Sequence, residues 1–232
     1  FYGRFFENTA MDFFLSIWDL ILHLDKHLTM LLQNYGPWVY AILFAIIFCE
    51  TGLVVTPFLP GDSLLFIAGA LAATSSANGA TGLDIHLLVI LLMIAAVLGD
   101  ALNYFIGAWA GPKLFKDNNA RFLKRDHLDK AHDFYEKWGG AAIILARFTP
   151  FLRTYVPFVA GMSRMTYPKF ALYNIAGGVV WVASLTYLGY FFGNIAWVKA
   201  NQGFLVIGII VLSLMPVAIG LIKAKMQAKA EL

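Results

Sequence analysis

The stretch from Cys49 to Asp62 reads CETGLVVTPFLPGD and places two carboxylates and two prolines in an otherwise apolar run. Pro57 and Pro60 each remove a backbone donor and clash with the preceding helical turn, and Gly61 loosens the chain beside them. One plain membrane-spanning helix therefore cannot pass through this run. The apolar arm on either side has about half of the ~20 residues that cross a bilayer core. The pattern predicts a re-entrant helical hairpin over residues 37–73.

The two carboxylates of this hairpin, Glu50 and Asp62, flank the helix break. Irregular backbone at membrane depth is tolerated only where protein buries it or where it lines a wet cavity. Ionisable side chains at that depth are rare and mark functional sites by default. We therefore expect Glu50 and Asp62 to face a cavity inside the protein.

A second stretch, residues 146–161, repeats the pattern of the first. Three short matches carry the repeat: TPFL at 56–59 and 149–152, FIAG and FVAG at 66–69 and 158–161, and YFIG and YFFG at 104–107 and 190–193. All three offsets are about 90 residues, and the order is the same. The matches therefore predict an internal duplication. Paired broken helices in the two halves of a chain point to the central site of a transporter.

The second hairpin is predicted over residues 141–165, with Pro150 and Pro157 as its helix breakers. Its tip carries Arg147 and Arg153 where the first tip carries acids. Guanidinium groups keep their charge at ordinary pH, and their planar forks suit bidentate contact with phosphate. Two arginines buried in a cavity therefore require an anion as partner.

The composition predicts an all-α polytopic membrane protein with a single domain over residues 1–232. The chain is 60% hydrophobic and 13% charged, which is far from the average of soluble domains. The net charge of +3 lies mostly at segment edges, which suits membrane orientation better than nucleic-acid binding. No nucleic-acid partner is expected. The chain begins at Phe1, and Met11 is a candidate native start.

Periodicity and charge predict the segments outside the two hairpins. They are an amphipathic helix at 12–33, transmembrane helices at 84–109, 168–193 and 203–222, and a charged linker at 113–138. We expect the amphipathic helix to lie in the membrane interface, with an inward-facing span as the alternative.

The distribution of lysine and arginine orients these segments. The positive-inside rule places the linker at 113–138 and the C-terminal tail in the cytoplasm. The span at 84–109 must then run from outside to inside, so the first hairpin enters from outside. The second hairpin follows the cytoplasmic linker and enters from inside. The predicted fold is an inverted repeat whose acidic and basic tips meet near the midplane.

Asp100 lies inside the predicted span at 84–109 and is a further candidate site residue. One interpretation is that Glu50, Asp62 and Asp100 pair with the arginines in a purely structural network. The other is that a lipid or solute phosphate competes for the arginines while the carboxylates take up or release protons. Both can hold at different stages of one cycle.

Enzymatic signatures are missing from the sequence. The histidines lack a convergent ligand pattern, and no nucleophile with a neighbouring base, phosphate-cradling loop or dinucleotide fingerprint occurs. We therefore expect no catalytic residue, no metal and no cofactor. An intramembrane hydrolase acting on a lipid phosphate is the enzymatic alternative.

The assembled segments resemble the DedA family of bacterial inner-membrane proteins, also called the SNARE-associated or VTT-domain family. The resemblance covers about residues 11–225. It rests on FCETGLVVTPFLPGDSLLFIAGALA from residue 48, GDALNYFIG from 99, ARFTPFLRTYVPFVAGM from 146 and GYFFG from 189. The two essential acids of the family fall on Glu50 and Asp62, and its two essential arginines fall on Arg147 and Arg153.

The resemblance implies lipid translocation. Members are associated with recycling undecaprenyl phosphate across the inner membrane or with flipping phospholipids, and dependence on the proton motive force is a family theme. We expect a multi-pass inner-membrane protein with a cytoplasmic C-terminus that moves undecaprenyl phosphate, coupled to protons, with Arg147 and Arg153 as phosphate ligands. Glu50, Asp62 and Asp100 are the expected proton-coupling residues. The alternatives are a phosphatidylethanolamine scramblase, a proton-coupled ion or solute transporter, and a non-transporting assembly factor; a homo-oligomer stays open.

Overall fold

The structure is a computed structural model that describes residues 24–53, 61–77, 83–114, 140, 142–193, 195–200 and 208. Across these ranges the secondary structure is helical, which confirms the all-α prediction. The helices are α1 (Leu24–Tyr35), α2 (Trp38–Gly52), α3 (Gly61–Ala77), α4 (Ile85–Leu114), α5 (Pro150–Met162), α6 (Tyr167–Phe192) and α7 (Ala196–Ala200). A further helical segment at residues 142–146 precedes α5.

Several predictions from the sequence fall outside the described residues. They concern the N-terminal part of the amphipathic helix at 12–23, the helix breakers Pro57 and Pro60, most of the charged linker at 113–138, and nearly all of the span at 203–222.

Helices α4 and α6 are the candidate membrane spans. Each has an apolar stretch of 26 residues, Ile85–Ala110 in α4 and Tyr167–Phe192 in α6. At 1.5 Å per residue such a stretch is about 39 Å long and exceeds a hydrocarbon core of about 30 Å. Helix α4 also continues as a helix beyond its span, to Leu114.

Each candidate span exposes an apolar stripe along its length and buries polar groups on the other side. The exposed side chains are Leu87, Ile90, Ile94, Leu98, Leu102, Phe105 and Trp109 on α4, and Leu172, Ile175, Val179, Leu188 and Phe191 on α6. The buried polar side chains are Asp100 and Asn103 on α4, and Asn174 and Thr186 on α6. This distribution is the reverse of a helix that faces water, and it fits a helix that faces lipid.

Two apolar clusters form the core of the described residues. The larger one joins α1, α2, α3, α4 and α6 and includes Leu43, Leu88 and Trp181. The smaller one surrounds Tyr104 and Phe170. The charged residues of the hairpin regions are buried as well.

The first hairpin region is interrupted after α2. Helix α2 ends at Gly52, and Leu53 adopts an extended backbone with φ −101° and ψ 118°. The chain is helical again from Gly61. Helices α2 and α3 have 15 and 17 residues, which is less than the ~20 that cross a bilayer core.

The second hairpin region is interrupted just before α5. Residues 147–149 form a turn, Thr149 is extended, and Pro150 begins α5. A proline suits this first position because its missing N–H would have no helical partner there.

Pro157 does not break the helix, in contrast to the prediction. It lies inside α5, which continues through it to Met162. An interior proline removes one helical hydrogen bond and costs about 3 kcal/mol. The segment stays helical because Phe158 and Gly161, which follow Pro157, pack closely against α4.

Helices α3 and α6 touch backbone to backbone at two glycines. Gly69 faces the carbonyl group of Thr186, and Gly189 faces the carbonyl group of Phe66. A Cβ atom at either glycine would collide with the neighbouring backbone. The close approach of these two helices therefore depends on glycine.

Helices α4 and α5 repeat this crossing. Gly107 faces the carbonyl group of Phe158, and Gly161 faces the carbonyl group of Tyr104. Each crossing thus combines one glycine from a hairpin-region helix with one glycine from a candidate span.

The contacts between helices also fix their directions. Helices α3 and α6 run parallel, helices α4 and α5 run parallel, and helices α4 and α6 run antiparallel. The contacts that establish this are Asp62–Trp181 and Ala70–Gly193 for the first pair, Asn103–Thr154 and Gly107–Phe158 for the second, and His86–Tyr187 and Asn174–Val97 for the third.

Candidate anion-binding site

The five ionisable residues singled out from the sequence are all buried. They are Glu50, Asp62, Asp100, Arg147 and Arg153, and the most exposed of them, Asp62, is 7% exposed. The structure brings them together in two ion-paired groups, one around each arginine.

The first group surrounds Arg153. Its Nη1 atom lies 3.1 Å from Asp62 Oδ1 and 3.3 Å from Glu50 Oε1. The Nε1–H group of Trp181 donates to the same Asp62 oxygen over 2.9 Å. The Arg153 guanidinium carbon also lies 5.0 Å from the centroid of the Trp181 ring. The arginine of the second hairpin region therefore meets both acids of the first.

Gly61 brings the two acids of this group close together. Its backbone N–H donates to Glu50 Oε1 over 3.3 Å. A Cβ atom at Gly61 would lie 2.5 Å from the carboxyl carbon of Glu50. Glycine at the first position of α3 therefore makes room for the Glu50 carboxylate.

The second group surrounds Arg147. Its Nη2 atom lies 2.6 Å from Asp100 Oδ2 and also donates to Asn174 Oδ1. Asn174 is fixed in turn, because its Nδ2 atom donates to the carbonyl oxygen of Val97 over 3.0 Å. The Arg147 side chain rests on the bare backbone of Gly177, where a Cβ atom would lie 3.0 Å from Arg147 Cδ. Helices α4 and α6 thus hold this arginine between them.

Asn103 joins the backbones beside the Arg153 group. Its Nδ2 atom donates to the carbonyl oxygens of Thr51 and Thr154. These residues follow Glu50 and Arg153 directly in the sequence. Asn103 therefore fixes the spacing of the main chains that carry this ion pair.

Sequence analysis missed two residues of the site, Asn174 and Trp181. Both are buried, and they lie seven residues apart on one face of α6. Their positions in the sequence do carry a signal. Asn174 is an amide within an apolar span, and Trp181 lies deep in the span instead of at its ends, where interfacial tryptophans concentrate.

The site holds buried polar atoms that lack a hydrogen-bond partner among the described residues. They are Glu50 Oε2, Asp100 Oδ1, and the Nε and Nη1 atoms of both Arg147 and Arg153. Arg153 Nη1 is within ion-pair distance of two carboxylates but makes no hydrogen bond with good geometry. A buried donor without a partner carries a desolvation cost. The guanidinium donors without a partner are therefore available to donate hydrogen bonds to an anion.

Metal ligands do not converge in the described part of the chain. There, His, Cys, Asp and Glu side chains form no group of three or more that could hold a metal ion.

Comparisons with known proteins agree on one family. The VTT domain model matches residues 59–191. Protein DedA of Escherichia coli (strain K12) is 55% identical over 218 residues, which cover 94% of this chain and 98% of that protein. An uncharacterized membrane protein of Mycobacterium leprae is 45% identical over 174 residues, 75% of each chain. Inner membrane protein YqjA of Escherichia coli (strain K12) is 39% identical over 155 residues, 67% of this chain and 68% of that protein.

No solved structure matches the chain. The family match nevertheless covers more than half of the sequence, and two of the relatives are named as membrane proteins. The chain has two helices that are long and apolar enough to cross a bilayer. The chain is thus a membrane protein that belongs to the DedA family of VTT-domain proteins.

Proposed function

We propose that the protein carries a phosphate-bearing lipid, most readily undecaprenyl phosphate, across the bacterial inner membrane, with Arg147 and Arg153 as ligands of the phosphate. It acts as a transporter and not as an enzyme. The observation that carries the proposal is the pair of buried guanidinium groups, each with two nitrogen atoms that lack a hydrogen-bond partner among the described residues. Phosphate oxygens are strong acceptors that match such donors.

The depth of the site supports a substrate that crosses the bilayer. Asp100 lies 15 residues after Ile85, and Trp181 lies 14 residues after Tyr167. At 1.5 Å per residue both are about 22 Å from the start of their spans, close to the midpoint of each. A headgroup bound there has left one membrane surface and has not reached the other.

The exposed apolar stripes of α4 and α6 are compatible with a lipid substrate. Such faces would allow the hydrocarbon chain to stay in the bilayer while the headgroup enters the polar site. A transporter of a soluble phosphate would expose the same apolar faces to the membrane. A lipid headgroup and a soluble phosphate would bind to the same arginines, so transport measurements must distinguish the two substrates.

The helix directions support two re-entrant hairpins, over 37–73 and 141–165, that enter from opposite faces. Helix α3 is parallel to α6, helix α5 is parallel to α4, and α4 is antiparallel to α6. Helices α3 and α5 therefore point in opposite directions, as an inverted repeat requires. Together with the positive-inside rule, this arrangement supports an outside location for the segment that follows α3 and a cytoplasmic location for the linker at 113–138 and the C-terminus.

The balance of charges supports coupling to protons. The site holds three carboxylates, Glu50, Asp62 and Asp100, against two guanidinium groups. When a phosphate takes over an arginine, the displaced carboxylate becomes a buried charge without a partner, which is costly until a proton neutralises it. Headgroup binding and proton uptake would then occur together.

Reconstitution in liposomes tests the proposed function. The transfer of labelled undecaprenyl phosphate or labelled phosphatidylethanolamine between leaflets is compared with protein-free liposomes. The wild-type protein should accelerate the transfer of undecaprenyl phosphate between the leaflets. Arg147→Lys and Arg153→Lys should lose most of that activity although they keep the charge, because an ammonium group does not reproduce the guanidinium fork.

Arg164→Lys is the matched control, because Arg164 is exposed in the turn after α5. It should transport at the wild-type rate. Faster transfer of phosphatidylethanolamine alone would reassign the substrate to a phospholipid. An ion or solute flux without movement of either lipid would overturn the proposal.

A further inference from the structure

Trp181 contacts both members of one ion pair in the site. Its Nε1–H group donates to Asp62 Oδ1, and its ring lies against the Arg153 guanidinium. We infer that Trp181 is a positioning residue of the phosphate site, which keeps Asp62 and Arg153 in place while a phosphate exchanges with the carboxylates. This inference rests on the proposed function.

The cation–π contact between the Trp181 ring and Arg153 helps to position the guanidinium group. The Nε and Nη1 atoms of Arg153 make no hydrogen bond with a described residue, so its nearby carboxylates attract it without fixing the plane of the guanidinium. The face of an aromatic ring adds an attraction that localises the guanidinium, and this attraction is stronger where water is excluded. Trp181 is 1% exposed. The ring therefore keeps the guanidinium beside it when the carboxylates leave.

The hydrogen bond from the Trp181 indole positions Asp62, the other member of the ion pair. Asp62 Oδ1 accepts from Trp181 and lies 3.1 Å from Arg153 Nη1, so one oxygen atom serves both contacts. When Arg153 turns to a phosphate, the indole N–H remains on the carboxylate. Asp62 then keeps a hydrogen bond throughout the exchange, which lowers the cost of separating the ion pair.

The helix packing explains why Trp181 can act as a fixed support. Asp62 lies about two turns before Gly69 on α3, and Trp181 lies about two turns before Gly189 on α6. Those two glycines form the close crossing of α3 and α6. Trp181 and Asp62 therefore belong to one tightly packed helix pair, while Arg153 comes from the other pair.

The two arginines differ in how they are held. Arg147 donates to the Asn174 amide, and Asn174 is itself tied to the backbone of α4. Arg153 is attracted by two carboxylates and by the face of the Trp181 ring. Turning Arg147 toward a phosphate would break the hydrogen bond from its Nη2 atom to Asn174, whereas the Nε and Nη1 atoms of Arg153 have no hydrogen bond to a described residue to break.

Two substitutions separate the two contacts. Trp181→Phe keeps an aromatic face and removes the N–H donor, whereas Trp181→Leu removes both. We expect Trp181→Phe to keep a near-wild-type KM for undecaprenyl phosphate with a lower kcat. Trp181→Leu should raise KM about thirtyfold, which corresponds to the loss of one desolvated cation–π contact. Trp38→Phe is the control, because Trp38 is 72% exposed, and it should change neither constant.

A spectroscopic measurement guards against variants that fail to fold. The indole ¹⁵N–¹H resonance of Trp181, assigned by its loss in Trp181→Phe, should move in Asp62→Asn and on titration of the wild-type protein with inorganic phosphate. A purely structural tryptophan would not respond to phosphate. Wild-type KM in Trp181→Leu, or an indole signal that phosphate leaves unchanged, would overturn the inference.

These outcomes separate the inference from the proposed function. If the wild-type protein moves neither lipid, the proposed function fails, and the phosphate titration still decides the role of Trp181. If the wild-type protein moves lipid and the indole signal does not respond to phosphate, only the inference fails.

Discussion

Asn103 donates an amide hydrogen to the carbonyl oxygen of Thr154 over 2.6 Å and so connects α4 to α5. The same amide nitrogen donates to the carbonyl oxygen of Thr51, 3.3 Å away at the end of α2. One side chain thus sets the distance between the main chains that carry Glu50 and Arg153. The ion pair between the two hairpin regions depends on a residue that carries no charge.

Replacing Asn103 with leucine should lower both stability and transport. Leucine has a similar volume but no donor, so two buried carbonyl groups each lose a hydrogen bond, at about 1 kcal/mol for each. The melting temperature of the purified protein should fall by several degrees. Leu98→Ala is the control, because Leu98 faces outward on the same helix. Equal melting temperatures for Asn103→Leu and the wild type would contradict this assignment.

The two glycine crossings should be intolerant of even a methyl group. Gly107→Ala places a Cβ atom against the Phe158 carbonyl group, and Gly189→Ala places one against the Phe66 carbonyl group. The backbone on the other side cannot rotate away as a side chain could, so the helices must separate, at a cost of about 1–3 kcal/mol. Both variants should melt earlier and transport more slowly.

Gly208→Ala is the matched control for this pair. Among the described residues, none has an atom within 4 Å of a Cβ atom built at Gly208, so the substitution should leave the melting temperature unchanged or raise it slightly. If Gly107→Ala has the same melting temperature as Gly208→Ala, the α4–α5 crossing is looser than the contacts indicate.

The same crossings show how far the sequence could predict this fold. The matching motifs YFIG and YFFG align Gly107 with Gly193. The contacts instead make Gly107 equivalent to Gly189, because these two glycines face the carbonyl groups of Phe158 and Phe66. The difference is four residues, about one helical turn. Residues four positions apart lie on the same face of a helix. Sequence matching alone therefore cannot decide whether Gly107 corresponds to Gly189 or to Gly193.

The charged residues of the site were predictable, whereas their pairing and the uncharged residues Asn174 and Trp181 were not. Charged residues within apolar runs can be recognised in the sequence. This pattern identified Glu50, Asp62, Asp100, Arg147 and Arg153. Which acid meets which arginine depends on helix directions and crossing points. Those are set by glycine contacts between residues that lie 51 to 123 positions apart in the sequence, and no local pattern reports them.

Arg147 and Asp100 allow a test of whether the charges serve function or only structure. Asp100→Asn leaves Arg147 as an uncompensated buried charge and should cost about 3–5 kcal/mol. The double variant Asp100→Leu with Arg147→Met removes both charges and should recover most of that stability. It should not recover lipid transport, because a phosphate ligand is gone. Thermal unfolding and liposome transport on the same preparations measure the two effects.

A double variant that transports at the wild-type rate would make the Arg147–Asp100 pair purely structural. In that case Arg153 alone could remain as the phosphate ligand. A single Asp100→Asn variant with unchanged stability would instead show that Arg147 has another anionic partner.

The proposed arrangement of opposed hairpins predicts the membrane sides of the segment that follows α3 and of the linker at 113–138. Cys49 is exposed, so labelling begins from a Cys49→Ser background. A membrane-impermeant maleimide added to intact cells should label Asn78→Cys and should not label Lys124→Cys, which should react only after the membrane is opened. Labelling of both loops from the same side would contradict the inverted arrangement.

Proton coupling predicts that transport responds to a pH gradient across the liposome membrane. When a phosphate displaces Glu50 or Asp62 from Arg153, the freed carboxylate is buried and unpaired, and a proton relieves that cost. The gradient then biases the side on which the headgroup leaves, because release of the phosphate and release of the proton are linked. Transport rates of the wild-type protein should therefore differ between gradients of opposite sign.

Glu50→Gln and Asp62→Asn should bind the lipid phosphate but lose this dependence on the gradient, since an amide cannot exchange the proton. Asp84→Asn is the control. Asp84 is exposed, accepts from the backbone N–H of Leu87 at the start of α4, and asparagine preserves such a cap. It should respond to the gradient as the wild type does. If gradients of both signs leave the wild-type rate unchanged, the acids are fixed counter-ions of the arginines, and the protein is a passive scramblase.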